Sequence, residues 1–338
     1  MKTKLLSLVG LAAMAATAVT AAAQHLTGAG ATFPNPIYSR WFSEYSASHP
    51  GVQINYQSVG SGAGIHQVST KIVDFGASDV TMTDQQLSES QVKLVAIPTV
   101  LGAVVPVYNV PGVGTDLKFS GDVIADIYLG RINKWNDSRI AKDNPGVNLP
   151  DHQILPVYRS EGSGTTFIVT DYLSKVSPDF LSKVGRGASV RWPLGIGQKG
   201  NEGVAGMIRN SPYAFGYVEL IYAVQNKMSY GEVKNAAGKW VKASTDGVTA
   251  AAAAVSKNMP ADYRVSITNA AGPDSYPISS FTWLLIPIQS QDPAKGKVLH
   301  DFLEWMLDHG ESEAAGMTYA PLPAPVVARV RQTINQIH

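Results

Sequence analysis

Apolar residues recur at helix spacing and at strand spacing in alternation along most of the chain. In PNPIYSRWFSEYSASHP, Ile37, Trp41 and Tyr45 stand at i, i+4 and i+8, with Pro34 near the start and Gly51 after the end, which predicts a helix. VQINYQSV then alternates apolar and polar, the period of a strand. GIHQVSTKIV predicts a short helix and VDFGASD the end of a buried strand. TDQQLSESQV predicts a helix opened by Thr83, with Gln86 three residues on. LVAIPTVLGAVVPVYNV is a long apolar stretch interrupted by Pro98, Pro106 and Pro111, which suits buried strands passing between two lobes.

The middle of the chain continues the alternation. GDVIADIYLGR predicts a helix, ILPVYR a strand, and TTFIVTDYLSKV a helix burying Phe167, Val169, Tyr172, Leu173 and Val176. YAFGYVEL predicts a strand followed by helical IYAVQN, and the Ala-rich TAAAAAVSKN a surface helix. ISSFTWLLIPI returns to a buried strand, and KGKVLHDFLEWMLDHG and PAPVVARVRQTINQI close the chain as amphipathic helices. Strands alternating with helices imply an α/β fold with mostly parallel sheets. The apolar crossings near 98–110 and 278–288 imply two lobes joined by a two-strand hinge, with ligand in the cleft between them. The expected division is 24–106 with 282–338 in lobe I and 107–281 in lobe II.

Composition narrows the class. Lys and Arg total 27 against 26 Asp and Glu, so no global basic field exists to recruit nucleic acid or an anionic membrane. At the N-terminus Lys2 and Lys4 precede LLSLVGLAAMAATAV, and Ala21-Ala22-Ala23 offers a cleavage site before Gln24. That order is a cleavable secretory signal over residues 1–23; the weak Ala/Thr second half argues against a membrane anchor. With no cysteine in the chain, no thiol can carry a lipid at the new N-terminus. The expectation is a freely soluble, monomeric periplasmic protein.

The stretch RSEGSGTTF, Arg159 to Phe167, supplies more hydrogen-bond donors than a turn needs. It follows a strand and enters a helix at Thr165. The first N–H groups of a helix lack internal partners and carry partial positive charge. Gly162 and Gly164 let an anion approach them, Ser163 and Thr165 add hydroxyls, and Arg159 adds a planar fork for two oxyanion oxygens. TGAGATFP, Thr27 to Pro34, has the look of a second such cradle: a Gly-rich loop ending in Thr32 before a helix. VGSGAG, Val59 to Gly64, is a third, with Ser61. Against these donors stands one acid, Asp79, at the carboxyl end of a buried strand, where open α/β sheets bind ligands. An ionised carboxylate only accepts hydrogen bonds. It tolerates an oxyanion that still carries a proton, such as hydrogen phosphate, and repels sulfate, which carries none.

TGAGATFP, VDFGASD, YLGRINKWND, RSEGSGTTF, WPLGIGQKGNEGV and GYVE, in this order along nearly the whole chain, resemble the PstS family, the periplasmic phosphate-binding proteins of bacterial phosphate ABC transporters. The resemblance implies a type II binding-protein fold that closes over one inorganic phosphate and delivers it to permease subunits, without catalysis and without cofactor. Carried over position by position, it implies Thr32, Phe33, Ser61 and Asp79 as phosphate contacts from one lobe and Arg159, Ser163, Gly164 and Thr165 from the other. Phe33 and Gly164 would act through backbone N–H. Glu161 stands where the family pattern often has Asp, and is expected to buttress Arg159.

Rival functions fit less well. Gly195, Gly197 and Gly200 satisfy G-x-G-x-x-G with Glu219 further on, but a proline precedes them and NEGVAGMIRN after them reads as a short, Gly-broken helix, unlike a dinucleotide fold. No G-x-S-x-G elbow or H-E-x-x-H occurs, and the seven histidines show no metal-ligand spacing. The same architecture binding arsenate, sulfate or molybdate remains the alternative, with Asp79 arguing against the last two, as does a secreted phosphate-sensing or adhesive relative.

Overall fold

The computed structural model describes residues 23–114, 116–256 and 259–338. The expected secretory signal thus lies outside the described residues, except for Ala23. The first half of the chain runs β1 (Gln24–Gly30), α1 (Asn35–Ser48), β2 (Val52–Ser58), α2 (Ser61–Ser69), β3 (Phe75–Ser78), α3 (Asp84–Glu89), β4 (Leu94–Tyr108), β5 (Lys118–Phe119), α4 (Gly121–Tyr128) and α5 (Ser138–Asp143). It continues through β6 (Leu155–Arg159), α6 (Gly164–Val176), α7 (Pro178–Lys183), β7 (Ile196–Gln198), α8 (Gly200–Asn210), β8 (Ala214–Glu219) and α9 (Leu220–Gln225). After β9 (Ser229–Tyr230), β10 (Glu232–Lys234), β11 (Trp240–Val241) and α10 (Thr245–Ser256) come β12 (Ser279–Pro287), α11 (Pro293–Asp308) and α12 (Ala324–Ile334).

Among the described residues nine strands form one mixed sheet, ordered β2-β1-β3-β12-β4-β8-β6-β7 with β9 beside β4. Its two ends are parallel: β2, β1 and β3 at one, β8, β6 and β7 at the other. Between them β12 and β4 run antiparallel, because the chain leaves one lobe and later comes back. The crossing is made by β4, which pairs with β12 from Leu94 to Ala103 and with β8 from Val104 to Tyr108. The molecule is therefore a two-lobed α/β fold with helices packed on the sheet.

The stripe expected on α1 is buried as Ile37, Trp41 and Tyr45, joined by Tyr38 and Phe42, and packs its rings against Tyr56, Phe75 and Phe302. Thr83 and Gln86 form the capping box of α3, each closing on the other's backbone N–H. Several local expectations need correction. The proline-broken stretch over 94–108 is one strand of 15 residues, not several. It absorbs Pro98 by a bulge: Thr282 faces Val100 and Trp283 faces Pro98, so Thr99 is the extra residue. The Thr99 hydroxyl fills the gap, 2.7 Å from Tyr38 Oη. TGAG, expected as a loop, is the last part of β1. Gly30 there has φ +150, and a Cβ would lie 2.0 Å from Ala77 O, so the glycine serves strand contact. On α6 the buried set is Ile168, Val169, Tyr172 and Leu173, while Phe167 and Val176 are half-buried. The Ala-rich α10 buries Val248, Ala251 and Ala252 completely, its small side chains allowing close approach to the sheet.

Candidate anion-binding site

Five strands end at one place. The turn after β1 carries Thr32 and Phe33; β2 leads through Gly60 to Ser61, the first residue of α2. Asp79 directly follows β3, Arg159 is the last residue of β6, and the turn after it holds Glu161, Ser163 and the Gly164–Thr165 start of α6. The fifth, β7, leads into Gly200 and Asn201 at the start of α8. Carboxyl ends of parallel strands are where α/β sheets collect polar groups, since helices begin there. All eight residues singled out from the sequence for anion contact converge here, and none of the seven with side chains is more than 4% exposed.

Two hydrogen-bonded groups meet at α6. In the first, Ser61 Oγ accepts from the Asp79 N–H at 3.2 Å and from the Gly164 N–H at 3.1 Å, and its hydroxyl lies 3.5 Å from Asp79 Oδ2. Thr282 donates to Asp79 Oδ1 at 2.8 Å. A Cβ on Gly164 would sit 2.5 Å from Asp79 Cβ and 2.7 Å from Ser61 Oγ, so only glycine fits. In the second group Arg159 gives its Nε to Glu161 Oε1 at 2.9 Å, its Nη2 to the same oxygen, and its Nη1 to Thr165 Oγ1 at 3.2 Å. Those bonds use three of the five guanidinium N–H groups, leaving two for an anion. Glu161 Oε1 also accepts the Gly200 N–H at 3.0 Å, so the longer acid reaches both the arginine and the next helix start. Ser163 caps α6 by accepting from the Thr166 N–H at 3.1 Å. The Phe33 carbonyl accepts from Tyr319 at 2.6 Å. The two glycine turns touch directly, the Gly62 N–H donating to Gly162 O at 2.9 Å.

Burial pushes the Asp79 carboxyl up to about 7, against the opposing pull of the Thr282 hydroxyl, the Arg159 charge and Ser61. A guanidinium with a carboxylate partner, helix-start N–H groups and hydroxyls thus surround one acid that titrates near neutrality.

Pattern reasoning did not find Asn201, Thr282 or Tyr222. Asn201 is fully buried and binds Thr32, Thr165 and the Glu219 N–H; Tyr222 donates to Thr32 O at 2.5 Å. The one sequence signal was that Asn201 opens the helix after GIGQKG. That segment also corrects an expectation: NEGVAGMIRN lies wholly within α8, an unbroken helix of 11 residues. The glycines still do not form a dinucleotide turn, because Gly197 lies inside the short edge strand β7, paired with Tyr158 of β6. Glu219 caps α9, its Oε2 accepting from the Ile221 N–H at 2.8 Å, and burial holds it well above the usual carboxylate range.

A PBP superfamily domain profile matches residues 15–309. The chain is 44% identical to the phosphate-binding protein PstS of Xylella fastidiosa over 306 residues, covering 90% of this chain and 83% of that one. It is likewise 44% identical to the phosphate-binding protein PstS of Pasteurella multocida over 315 residues, covering 93% and 91%. In fold it is similar to the crystal structure of a phosphate binding protein from Stenotrophomonas maltophilia, with a TM-score of 0.70, 20% identity, and 92% and 94% of the two chains covered.

Proposed function

The chain belongs to the PBP superfamily and, within it, to the PstS phosphate-binding proteins, and from that premise we propose that it closes over one inorganic phosphate and delivers it to a membrane ABC transporter. The observation that carries this reading is a buried acid, Asp79, held among donors drawn from both ends of the sheet. Thr32, Ser61, Ser163 and Thr165 supply hydroxyls, Arg159 its free N–H groups, and Phe33 and Gly164 the backbone of two helix starts. Ionised Asp79 accepts a hydrogen bond from the proton that phosphate keeps at neutral pH. Glu161 holds the arginine in place.

Binding and release are the whole activity, with no bond made or broken and no cofactor. The working form is a monomeric periplasmic protein, freed of residues 1–23, with 24–106 and 282–338 as one lobe and 107–281 as the other. No helix among the described residues is long and apolar enough to cross a membrane. The permease subunits are its partners. Arsenate, protonated and nearly the same size, satisfies the same groups.

A ligand that binds only the folded state stabilises it by about 2.7 kcal/mol at a hundredfold excess over Kd. After carried-over phosphate is removed, millimolar phosphate should raise the melting temperature by several degrees and sulfate at the same ionic strength should not. Equal shifts would contradict the assignment.

A further inference from the structure

Asn201 occupies a position from which it governs hydroxyls on opposite sides of the site. Its Nδ2 donates to Thr32 Oγ1 at 2.8 Å and to Thr165 Oγ1 at 3.2 Å, and its backbone N–H donates to Thr32 Oγ1 at 3.2 Å. Its Oδ1 accepts from the Glu219 N–H at 3.0 Å. A backbone N–H is always a donor, so that contact fixes which end of the amide is oxygen, and the NH2 group must face the threonines.

A hydroxyl oxygen has two acceptor positions and one proton to give. Thr32 Oγ1 has both positions taken by Asn201. Thr165 Oγ1 has one taken by Asn201 and the other by Arg159 Nη1 at 3.2 Å. Neither hydroxyl can turn its lone pairs toward a ligand; each can only donate. Ser61 reaches the same condition by another route, accepting from the Asp79 and Gly164 N–H groups. We propose that Asn201 is the positioning residue that locks Thr32 and Thr165 as donors, so that neither hydroxyl competes with Asp79 for an anion's proton. The proposal rests on the reading of this site as a phosphate site. Its consequence is that an anion meets only donors at Thr32 and Thr165, and any proton it carries is left for Asp79. Because Thr32 and Asn201 come from opposite ends of the sheet, the lock is set only when the lobes are together.

The test is calorimetric titration with inorganic phosphate of the parent, Asn201→Asp and Asn201→Ala, each freed of phosphate, at pH 8 and pH 5. Aspartate has the shape of asparagine and can still accept from Glu219, but it draws both threonine protons to itself. Its affinity at pH 8 should fall by roughly 10²–10⁴-fold, two charge-assisted hydrogen bonds being lost. At pH 5 that deficit should shrink, since a protonated carboxyl donates again. Asn201→Ala adds no charge and frees the hydroxyls to rotate; its affinity should fall about tenfold or more, with a deficit that does not depend on pH. Both variants should keep the melting temperature of the ligand-free parent within a few degrees. If Asn201→Ala binds as the parent does, the aspartate effect is charge repulsion alone and the proposal is wrong. A deficit in Asn201→Asp that is constant with pH, or loss of the ligand-free fold in both variants, would assign Asn201 a packing role and also overturn it. A parent that does not bind phosphate fails at the first titration, before any variant is compared, and takes down the phosphate reading together with what rests on it.

Discussion

At the scale of single residues the decisive group is Asp79, whose carboxyl burial raises to about 7. On the proposed reading, above that value it is ionised, accepts a hydrogen bond from hydrogen phosphate and repels sulfate. Below it the neutral carboxyl can donate to sulfate, so discrimination should weaken as the pH falls from 8 to 5. Competition titrations at fixed ionic strength measure the ratio of the two constants, and Asp79→Asn should give a low ratio that no longer changes with pH. A ratio in the parent that stays constant from pH 8 to 5 would remove Asp79 from the selectivity. The same shift affects stability. A folded-state value above the unfolded one, near 3.9, means a contribution present below about pH 4 and lost as pH rises through about 7. Asp79 was legible in the sequence as an acid at the carboxyl end of a buried strand, and Arg159 as the last residue of a strand before a glycine-rich helix start. Thr282 and Asn201 were not, since they matter through contacts 203 and 169 residues away along the chain.

Secondary-structure elements set how tightly these residues meet. The start of α6 lies against Ser61 and Asp79 so closely that a methyl group on Gly164 has no room. Forcing one in costs about 1–3 kcal/mol, which predicts that Gly164→Ala weakens phosphate binding by roughly 10–100-fold. Because the clash is with residues of the other end of the sheet, the ligand-free melting temperature should change little; titration and melting of the same sample check both statements. A variant that binds as the parent does would show that α6 does not close on Asp79. Most helices and long strands were legible from period alone, as with the Ile37–Trp41–Tyr45 stripe of α1. The continuity of β4 through Pro98 was not, because the bulge at Thr99 depends on its partner β12 and on Tyr38. Nor was the role of Gly30, whose need for glycine comes from Ala77 on the neighbouring strand.

For the whole molecule, the site exists only as the sum of two lobes. The parallel strands β1, β2 and β3 bring Thr32, Ser61 and Asp79, the parallel strands β6 and β7 bring Arg159, Thr165 and Asn201, and β4 ties the two sets into one sheet. Donors from one lobe satisfy acceptors of the other, as between Gly164 and Ser61 and between Asn201 and Thr32. On the proposed reading such a site gains affinity as its lobes close, and an anion that leaves Asp79 unpaired should lose that gain as well as one hydrogen bond. Rejection of an analogue that lacks a designed hydrogen bond can reach roughly 10⁴-fold. The most direct measurement is isothermal titration of the phosphate-free protein at pH 8 with phosphate and, separately, with sulfate at matched ionic strength. One phosphate should bind per chain, with sulfate at least about 10³-fold weaker. Sulfate binding within tenfold of phosphate, or no phosphate binding at all, would contradict the account.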